Sequence, residues 1–587
     1  MTANDSGTVG LANVRLIAAV PFVAAIVAYL PALWTGFTAD DFFILARLKQ
    51  FGGLSQPFAY FSALGFFEYY RPLTFLLHAV DWQVWELNPL GYHLTNLLLH
   101  AGSSALVFLL GRRLDGVVTG LVAALLFALH PASHEAVYWI SARFDLLATF
   151  LTLAALLLLT GAGPSYGAGV AVFGLALLAK ESALALPVIF LAHEVLIRRI
   201  GSSAAVRRLV PLGVVTIGYA LLRSQAGALA AAGGASRLPK LAMLAAMMAV
   251  LLWLTRSRGA AWPADSPIGR ARTGVPVVLL AGAAIATLLF VPATSLWLRE
   301  KIGFASFALF YLLSPVTLPA PSPAFFDRPE PAVAATELGV ILLLALGFWR
   351  SRQWLAARPA ALFALAFAAA ALAPVSSMTS GPRYLYLASA GVSLLAGLIF
   401  RSFSPAIRIR WAMPVLAIML AASAVQLFAA ARAWQWASDM TRDSLALISS
   451  TLAPCGSRDV VLLTTPVGIR GVFSNLNEVA FDVAGCRPAS YATLLRVMNQ
   501  DAHVEAIRRG DTIELRVPGY TGNFVTAADL RHFDMPIAAG DPIAIDTPIG
   551  RFTTAIENGT QVFRILLSES ARRATFFFYS DGRLQPL

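Results

Sequence analysis

Apolar runs of about twenty residues recur along most of this chain, and each is long enough to cross a bilayer core as a helix. A spanning segment must satisfy its own backbone hydrogen bonds, and the helix is the one open-ended element that does so. The chain has 587 residues, is 58% hydrophobic and carries 13% charged residues, roughly half the charge of an average soluble protein. A polytopic, mainly α-helical membrane protein follows, with the polar remainder gathered at the C-terminal end.

The formal charge of +12 is spread through short arginine clusters between the apolar runs, as the positive-inside rule expects of cytoplasmic loops. A continuous basic stripe is absent, which argues against a nucleic-acid partner. The first run, Leu16 to Trp34, is too long for a signal-peptide core and no small-residue cleavage site follows it. It is expected to be the first spanning helix.

With the arginine clusters taken as cytoplasmic, helix 1 at about 14–34 runs outward and leaves Asp40 and Asp41 on the external face. A stretch rich in aromatics, prolines and charges, from Asp40 to about Glu86, is expected to lie on the membrane as amphipathic helices. Spans follow at about 91–111, 116–130 and 146–161, then two divided by a bend at Lys180-Glu181, then about 209–226, 238–255, 274–292, 332–349, 359–374, 384–400 and 411–431. An apolar piece between Trp297 and Leu313 is assigned to an interfacial or re-entrant element, because counting it as a span would put Arg350, Arg352 and Arg358 outside. About thirteen spans result, with the N-terminus inside and the C-terminus outside.

From about Trp436 the composition changes. Strand-like runs such as Asp459–Leu463, Thr512–Val517 and Gln561–Leu567 are separated by turn residues. The expected organisation is a membrane domain over 1–435, whose first external loop covers about 35–90, and a small external β-rich (α+β) domain over 436–587. The two cysteines, Cys455 and Cys486, both fall in that external domain, where a disulfide between them is the natural pairing.

Ionisable groups beside lipid are costly and by default mark a functional path. The external face carries Asp40, Asp41, Glu68, Arg71, His93, His130, His134, Glu135, Arg143, Asp145, Lys180, Glu181 and Arg383, all near expected helix ends. Acids set beside bases in this way suit a site that handles an anionic head group and deprotonates an acceptor. Two adjacent carboxylates repel, so Asp40 and Asp41 suit a base or a pair of ligands for a divalent cation, magnesium or manganese. Asp40 also has the simpler role of helix N-cap open to it. His134-Glu135 lacks the second histidine of a zinc protease. His78, His93 and His100 are equally explained as packing residues, the arginines as snorkelling charges, and Tyr69, Tyr70, Tyr384 and Tyr386 as an aromatic belt.

Several stretches, taken in order, resemble a known family: Asp40-Asp41; Tyr70-Arg71-Pro72-Leu73-Thr74; Asn88-Pro89-Leu90-Gly91-Tyr92-His93 through His100; Leu129-His130-Pro131 through Val137, with Arg143-Phe144-Asp145; Ala179-Lys180-Glu181-Ser182; and Pro382-Arg383-Tyr384-Leu385-Tyr386-Leu387. The set looks like the membrane-embedded GT-C glycosyltransferases, and among them the bacterial relatives of the transmembrane-and-tetratricopeptide-containing O-mannosyltransferases, a protein O-mannosyltransferase-like family. The resemblance covers roughly residues 10 to 432. It implies a GT-C fold in a bacterial inner membrane, a periplasmic C-terminal domain, a polyprenyl-phosphate-linked sugar as donor, and an extracytoplasmic acceptor. It also implies an acid of the first external loop, Asp41 or Asp40, acting on the acceptor or a metal, and positive charge at Arg71, Lys180 and Arg383 for the departing lipid phosphate. Those relatives continue into tetratricopeptide repeats, whereas this chain continues into the β-rich domain.

Transfer from a lipid phosphate requires an activated hydroxyl, a tolerated oxocarbenium-like centre and a stabilised leaving group, and single displacement inverts the anomeric carbon. A transporter or flippase of lipid-linked sugars shares the charged rim, but should show repeated halves with interrupted helices. A glycan polymerase or ligase of the same superfamily keeps the chemistry and changes the acceptor. A non-enzymatic scaffold leaves the charges unexplained.

Overall fold

A computed structural model describes residues 11–62, 69–161, 165–225, 357–375 and 381–452, the strand-forming parts of 459–587, and a few positions between them. The described residues fall into two compact units. The first gathers those of Met1–Leu33, Phe51–Pro319 and Arg328–Ala431, and the second those of Trp34–Gln50 and Arg432–Leu587.

In the first unit apolar composition makes the helices and punctuation residues end them. Asn88 caps Pro89–Asp115, its side-chain oxygen accepting the Leu90 N–H at 3.2 Å, and Pro89 takes the first helical position, where its missing N–H is no loss. Gly116, at φ 95°, supplies a turn that a side chain would strain, and Val117–Ala128 packs against the helix just ended. The two helices meet almost backbone to backbone: a Cβ on Gly120 would lie 2.5 Å from the Phe108 carbonyl oxygen. Small residues permit such contacts in lipid, where no hydrophobic force draws helices together. His100 is a packing residue in this layer, with Nδ1 2.7 Å from the Tyr386 hydroxyl and Nε2 3.0 Å from the Ala128 carbonyl oxygen.

Six described helices are long and apolar enough to cross a bilayer: Val14–Trp34, Pro89–Asp115, Ile140–Leu159, Ser202–Gln225, Pro382–Ser402 and Pro405–Thr451. Val117–Ala128 and Pro131–Tyr138, bent by 52°, make a seventh if they form one broken span, and Ser165–Ala179 and Pro359–Leu372 are shorter apolar helices. The bend at Lys180-Glu181 is present. Ser165–Ala179 ends there, Lys180 is extended, and a 3-10 turn over Glu181–Ala185 leads into Leu186–Ala192. The segment after Asp40 forms short helices at Asp41–Phe51, Ala59–Ser62 and Pro72–Trp85. The expected spans at 238–255, 274–292 and 332–349, and the piece between Trp297 and Leu313, lie outside the described residues, so thirteen spans are not established.

One boundary moves. The helix that holds the expected last span does not stop at 431: Met413–Thr451 continues unbroken for 39 residues, about 58 Å at 1.5 Å per residue. That is nearly twice the thickness of a bilayer core. Arg432, Trp436 and Asp439 lower the apolar signal past 431 without breaking the helix.

The second unit is built on sheets. Val460–Pro466 lies in a six-stranded sheet, parallel to Tyr491–Val497 on one side and to Thr575–Ser580 on the other. A five-stranded antiparallel sheet runs in the order Glu505–Arg509, Thr512–Val517, Thr560–Leu567, Gly550–Glu557, Ala544–Thr547. Alternation divides its faces. Ile513, Leu515, Val517, Phe552, Phe563 and Ile565 share a core with Val461, Leu463 and Phe576, while Glu514 on the other face pairs with Arg516 at 2.8 Å and Arg564 at 3.0 Å. Cys486 is described and buried; Cys455, its expected partner, lies outside the described residues.

Candidate functional site

Within the first unit, segments far apart in the chain bring three cations and three carboxylates to helix ends. Arg71 precedes Pro72–Trp85 and Asp145 lies in the first turn of Arg143–Leu159. Lys180 and Glu181 follow Ser165–Ala179, Glu135 opens the short helix His134–Tyr138, and Arg383 lies in the 3-10 turn Pro382–Leu385. Arg71 makes a two-pronged contact with Glu181, Nε to Oε2 at 3.0 Å and Nη2 to Oε1 at 2.6 Å. Lys180 Nζ donates to Asp145 Oδ1 at 2.6 Å. Arg383 is paired with Glu135, whose Oε2 also accepts the Arg383 backbone N–H at 2.9 Å.

Aromatic rings tie the pairs together. Lys180 Nζ lies 5.0 Å from the Tyr384 ring centroid, and the Arg383 guanidinium lies 4.5 Å from both the Tyr384 and the Trp139 rings. Arg71 stands over Tyr69 at 4.1 Å and Phe144 at 5.0 Å. Desolvated cations gain from such ring faces, and the rings limit where each head can go.

The electrostatics are those of a matched cluster. Burial pulls against the Arg71 charge, but Glu181, and behind it Tyr69 and Asp145, hold its pKa above the ordinary arginine range. Burial also works against the Glu181 charge, yet Arg71, Lys180 and Arg223 hold that carboxyl well below the usual carboxylate range. Lys180 goes the other way: burial lowers it, neighbouring Arg71 adds to the lowering, and Asp145 opposes.

Arg143 belongs elsewhere. Its side chain is 0% exposed, against 15% for Arg383. It pairs with Asp81 at 2.6 Å and donates to the Asn96 side chain at 2.8 Å and the Tyr92 carbonyl at 2.7 Å. Asn96 in turn holds the Val137 and Trp139 carbonyls, so Arg143 braces the segment that carries Glu135. His93 is completely buried on Pro89–Asp115, and His134 is half-buried beside Glu135. Sequence reasoning passed over Trp139 as a seat for Arg383, and the pairing partners Glu181, Asp145 and Glu135 were visible only as unassigned polar residues.

Asp40 and Asp41 belong to the second unit. Asp41 Oδ2 accepts the Thr38 N–H at 2.9 Å and the Asp41 N–H donates to the Thr38 carbonyl at 3.0 Å, two bonds that close the turn ahead of Asp41–Phe51. Asp40 stands at the N-cap position expected of it, its carbonyl accepting the Phe43 and Ile44 N–H at 3.1 and 3.3 Å. Between Thr38 and Asp40, Ala39 sits at φ 44°, a left-handed conformation that costs an alanine on the order of 1 kcal/mol or more. Asp41 is buried and Asp40 half-buried. As a metal site the pair fits poorly: one Asp41 oxygen is engaged by Thr38, and among the described residues no group of three or more His, Cys, Asp or Glu side chains converges to hold an ion.

No family model matches the chain. Among curated proteins it is similar to a protein O-mannosyl-transferase of Caenorhabditis elegans, F38B6.6, 36% identical over 93 residues. That match covers 15% of this chain and 14% of the relative. It is also similar to the protein O-mannosyl-transferase TMTC3 of Mus musculus, 40% identical over 88 residues, covering 15% and 10%, and to Tmtc1 of Drosophila melanogaster, 44% identical over 78 residues, covering 13% and 9%. The chain thus spans a small part of the length of these relatives. Solved structures give more distant likenesses. The archaeal oligosaccharyltransferase AglB of Archaeoglobus fulgidus, in complex with an inhibitory peptide and a dolichol-phosphate, aligns at a TM-score of 0.43 and 14% identity, over 81% of this chain and 64% of that one. ArnT of Cupriavidus metallidurans, bound to undecaprenyl phosphate, aligns at 0.34 and 15%, over 77% and 82%. The resemblance drawn from the ordered motifs is borne out by the curated matches: over a stretch of 93 residues, this chain is similar to the protein O-mannosyl-transferases.

Proposed function

We propose that this chain is a membrane-embedded glycosyltransferase of the GT-C kind, moving a sugar from a polyprenyl-phosphate donor to a hydroxyl of an extracytoplasmic glycan, lipid or protein. The observation that carries the reading is the cluster in which Arg71, Lys180 and Arg383 are each held by a carboxylate, with Lys180 and Arg383 sharing the Tyr384 ring. Such a cluster is preorganised for a phosphate that gains charge as it departs. Scaffolding alone would not require three cations at the ends of three separate helices.

The chemistry is a single displacement. The acid pair Asp40-Asp41 takes the acceptor's hydroxyl proton, the oxygen bonds to the anomeric carbon, and the bond from that carbon to the phosphate oxygen breaks with inversion. The phosphate leaves with both electrons of that bond and is held by Arg71, Lys180 and Arg383. It needs no separate acid. The membrane domain over 1–435, the periplasmic domain over 436–587 with its Cys455–Cys486 disulfide, and residence in a bacterial inner membrane are parts of the same proposal.

The test is transfer in membranes supplied with labelled polyprenyl-phosphate sugar, with Arg71→Gln, Lys180→Gln and Arg383→Gln compared against the unaltered chain. Loss of transfer in all three, with product of inverted anomeric configuration from the unaltered chain, is the expected result. Full transfer by all three would overturn the assignment. Movement of the intact donor across the membrane without sugar release would instead favour a flippase.

A further inference from the structure

The C-terminal ends of Pro89–Asp115 and Tyr386–Ser402 and the start of Pro359–Leu372 enclose a second charged space. Tyr386–Ser402 starts beside Arg383 and runs for 17 residues, about 25 Å at 1.5 Å per residue. Near its far end, Leu398, Arg401 and Ser402 line a cavity of about 430 Å³ together with Asp115 and the turn from Ala357 through Ala361. That volume lies within the range of about 300–1,000 Å³ typical of small-molecule sites.

Its charges differ from those of the first cluster. There each cation has a carboxylate; here, among the described residues, the guanidinium groups of Arg358 and Arg401 have no carboxylate within ion-pair distance. Arg358 is half-buried with its guanidinium held over the Trp354 ring at 4.5 Å, so its position is fixed by packing and its N–H edge is left for a ligand. The first turn of Pro359–Leu372 lines the same space and adds the positive end of a helix dipole. Asp115 is the one acid of the lining. It is exposed, and Thr119 donates to its Oδ2 at 2.8 Å, so solvent screens it more than it screens Arg358. Ser402 donates its hydroxyl to the Ile399 carbonyl at 2.6 Å and takes no part.

We propose that this cavity binds the phosphate of a lipid head group, seated between Arg358 and Arg401 at the membrane face opposite the Arg71, Lys180 and Arg383 cluster. Two guanidinium groups presented at the end of apolar helices suit an anion whose tails remain in the bilayer. Planar guanidinium forks match phosphate oxygens in pairs. The site is independent of the proposed transfer reaction.

The test uses the full chain in nanodiscs, either of phosphatidylcholine alone or with one fifth phosphatidylglycerol, read by native mass spectrometry for retained lipid and by thermal unfolding. The unaltered chain should keep one phosphatidylglycerol preferentially. Arg358→Gln with Arg401→Gln should reduce that retention about tenfold, the loss of roughly one charge-assisted contact. Its unfolding temperature in phosphatidylcholine alone should be unchanged, which separates lost binding from lost folding. Arg410→Gln, an exposed arginine stacked on Trp411, is the control and should retain lipid normally. Equal retention by the double variant, an equal loss in Arg410→Gln, or stabilisation by inorganic phosphate with no phosphatidylglycerol retained would each overturn the lipid site.

Discussion

Glu135 grips Arg383 at two points, the guanidinium through one carboxylate oxygen and the backbone N–H through the other at 2.9 Å. The two residues are 248 positions apart, so the contact fixes where the Pro382–Leu385 turn meets the His134–Tyr138 helix. Glu135→Gln keeps an acceptor for the backbone N–H and loses the charge that orients the guanidinium. Transfer should fall about a hundredfold, the scale of losing one preorganised donor to a developing anion, with little change in unfolding temperature. Glu135→Ala should also lower that temperature, because it leaves Arg383 poorly paired in a largely buried place.

Gly381 tests the same geometry without touching a charge. A Cβ there would lie 3.2 Å from Arg383 Nη1, 3.2 Å from Tyr384 Cε2 and 3.3 Å from Glu135 Oε2, so three groups of the cluster would each have to give by a few tenths of an ångström. Its backbone is extended, at φ −168°, and alanine tolerates that. Gly381→Ala should therefore fold normally and show a reduced kcat, by about tenfold, since small misplacements in a preorganised site are costly. Kinetics beside an unfolding curve separate the two effects.

Lys180 should give the proposed reaction an alkaline limit. In that proposal the ammonium is the form that holds phosphate, and burial together with Arg71 lowers its pKa below the ordinary lysine range while Asp145 opposes. As pH rises through that lowered value the charge is lost, so donor affinity should begin to fall below the pH at which a free lysine titrates. Lys180→Arg keeps its charge throughout and should move the decline upward even if its maximal rate is lower. A pH series of donor KM for both proteins measures this; identical alkaline limbs would remove Lys180 from the binding step.

Arg143 should behave as a brace. It is fully enclosed and shared among Asp81, Asn96 and the Tyr92 carbonyl, and deleting one partner of a buried ion pair costs about 3–5 kcal/mol. Arg143→Ala should lose expression and thermal stability before any rate can be assigned to it. Arg383→Ala, at a partly exposed site, should lose transfer with a smaller loss of stability. Thermal unfolding of both variants in one detergent gives the comparison.

The sequence made the helices plain because apolar length is a local property: the starts near 14 and 91 and the break at Lys180-Glu181 can be located from a window of twenty residues. The alternation that forms the five-stranded sheet was equally local in Thr512–Val517 and Thr560–Leu567. The end of Met413–Thr451 was hidden because a helix that leaves lipid loses its apolar signal and keeps its hydrogen bonds. The ion pairs were hidden for another reason. Arg71 with Glu181, 110 residues apart, is a consequence of packing and leaves no trace in spacing, so Arg143 and Arg383 looked alike until burial distinguished them.

The acid pair separates capping from chemistry. Asp41 accepts the Thr38 N–H through Oδ2, and asparagine can accept the same bond through its amide oxygen. Asp41→Asn should therefore keep the turn that holds Ala39 at positive φ while removing a carboxylate from the pair. Asp41→Ala loses both, and should cost an additional 1 kcal/mol or so, the usual net worth of one hydrogen bond. If Asp41 is the base, Asp41→Asn abolishes transfer at nearly unchanged stability, and Asp40→Asn retains a reduced rate. If the half-buried Asp40 is the base, the activities exchange while the stability difference between Asp41→Asn and Asp41→Ala stays. Transfer measured beside unfolding for the three variants assigns the proton acceptor, and full transfer by both asparagine variants would exclude this pair from the reaction.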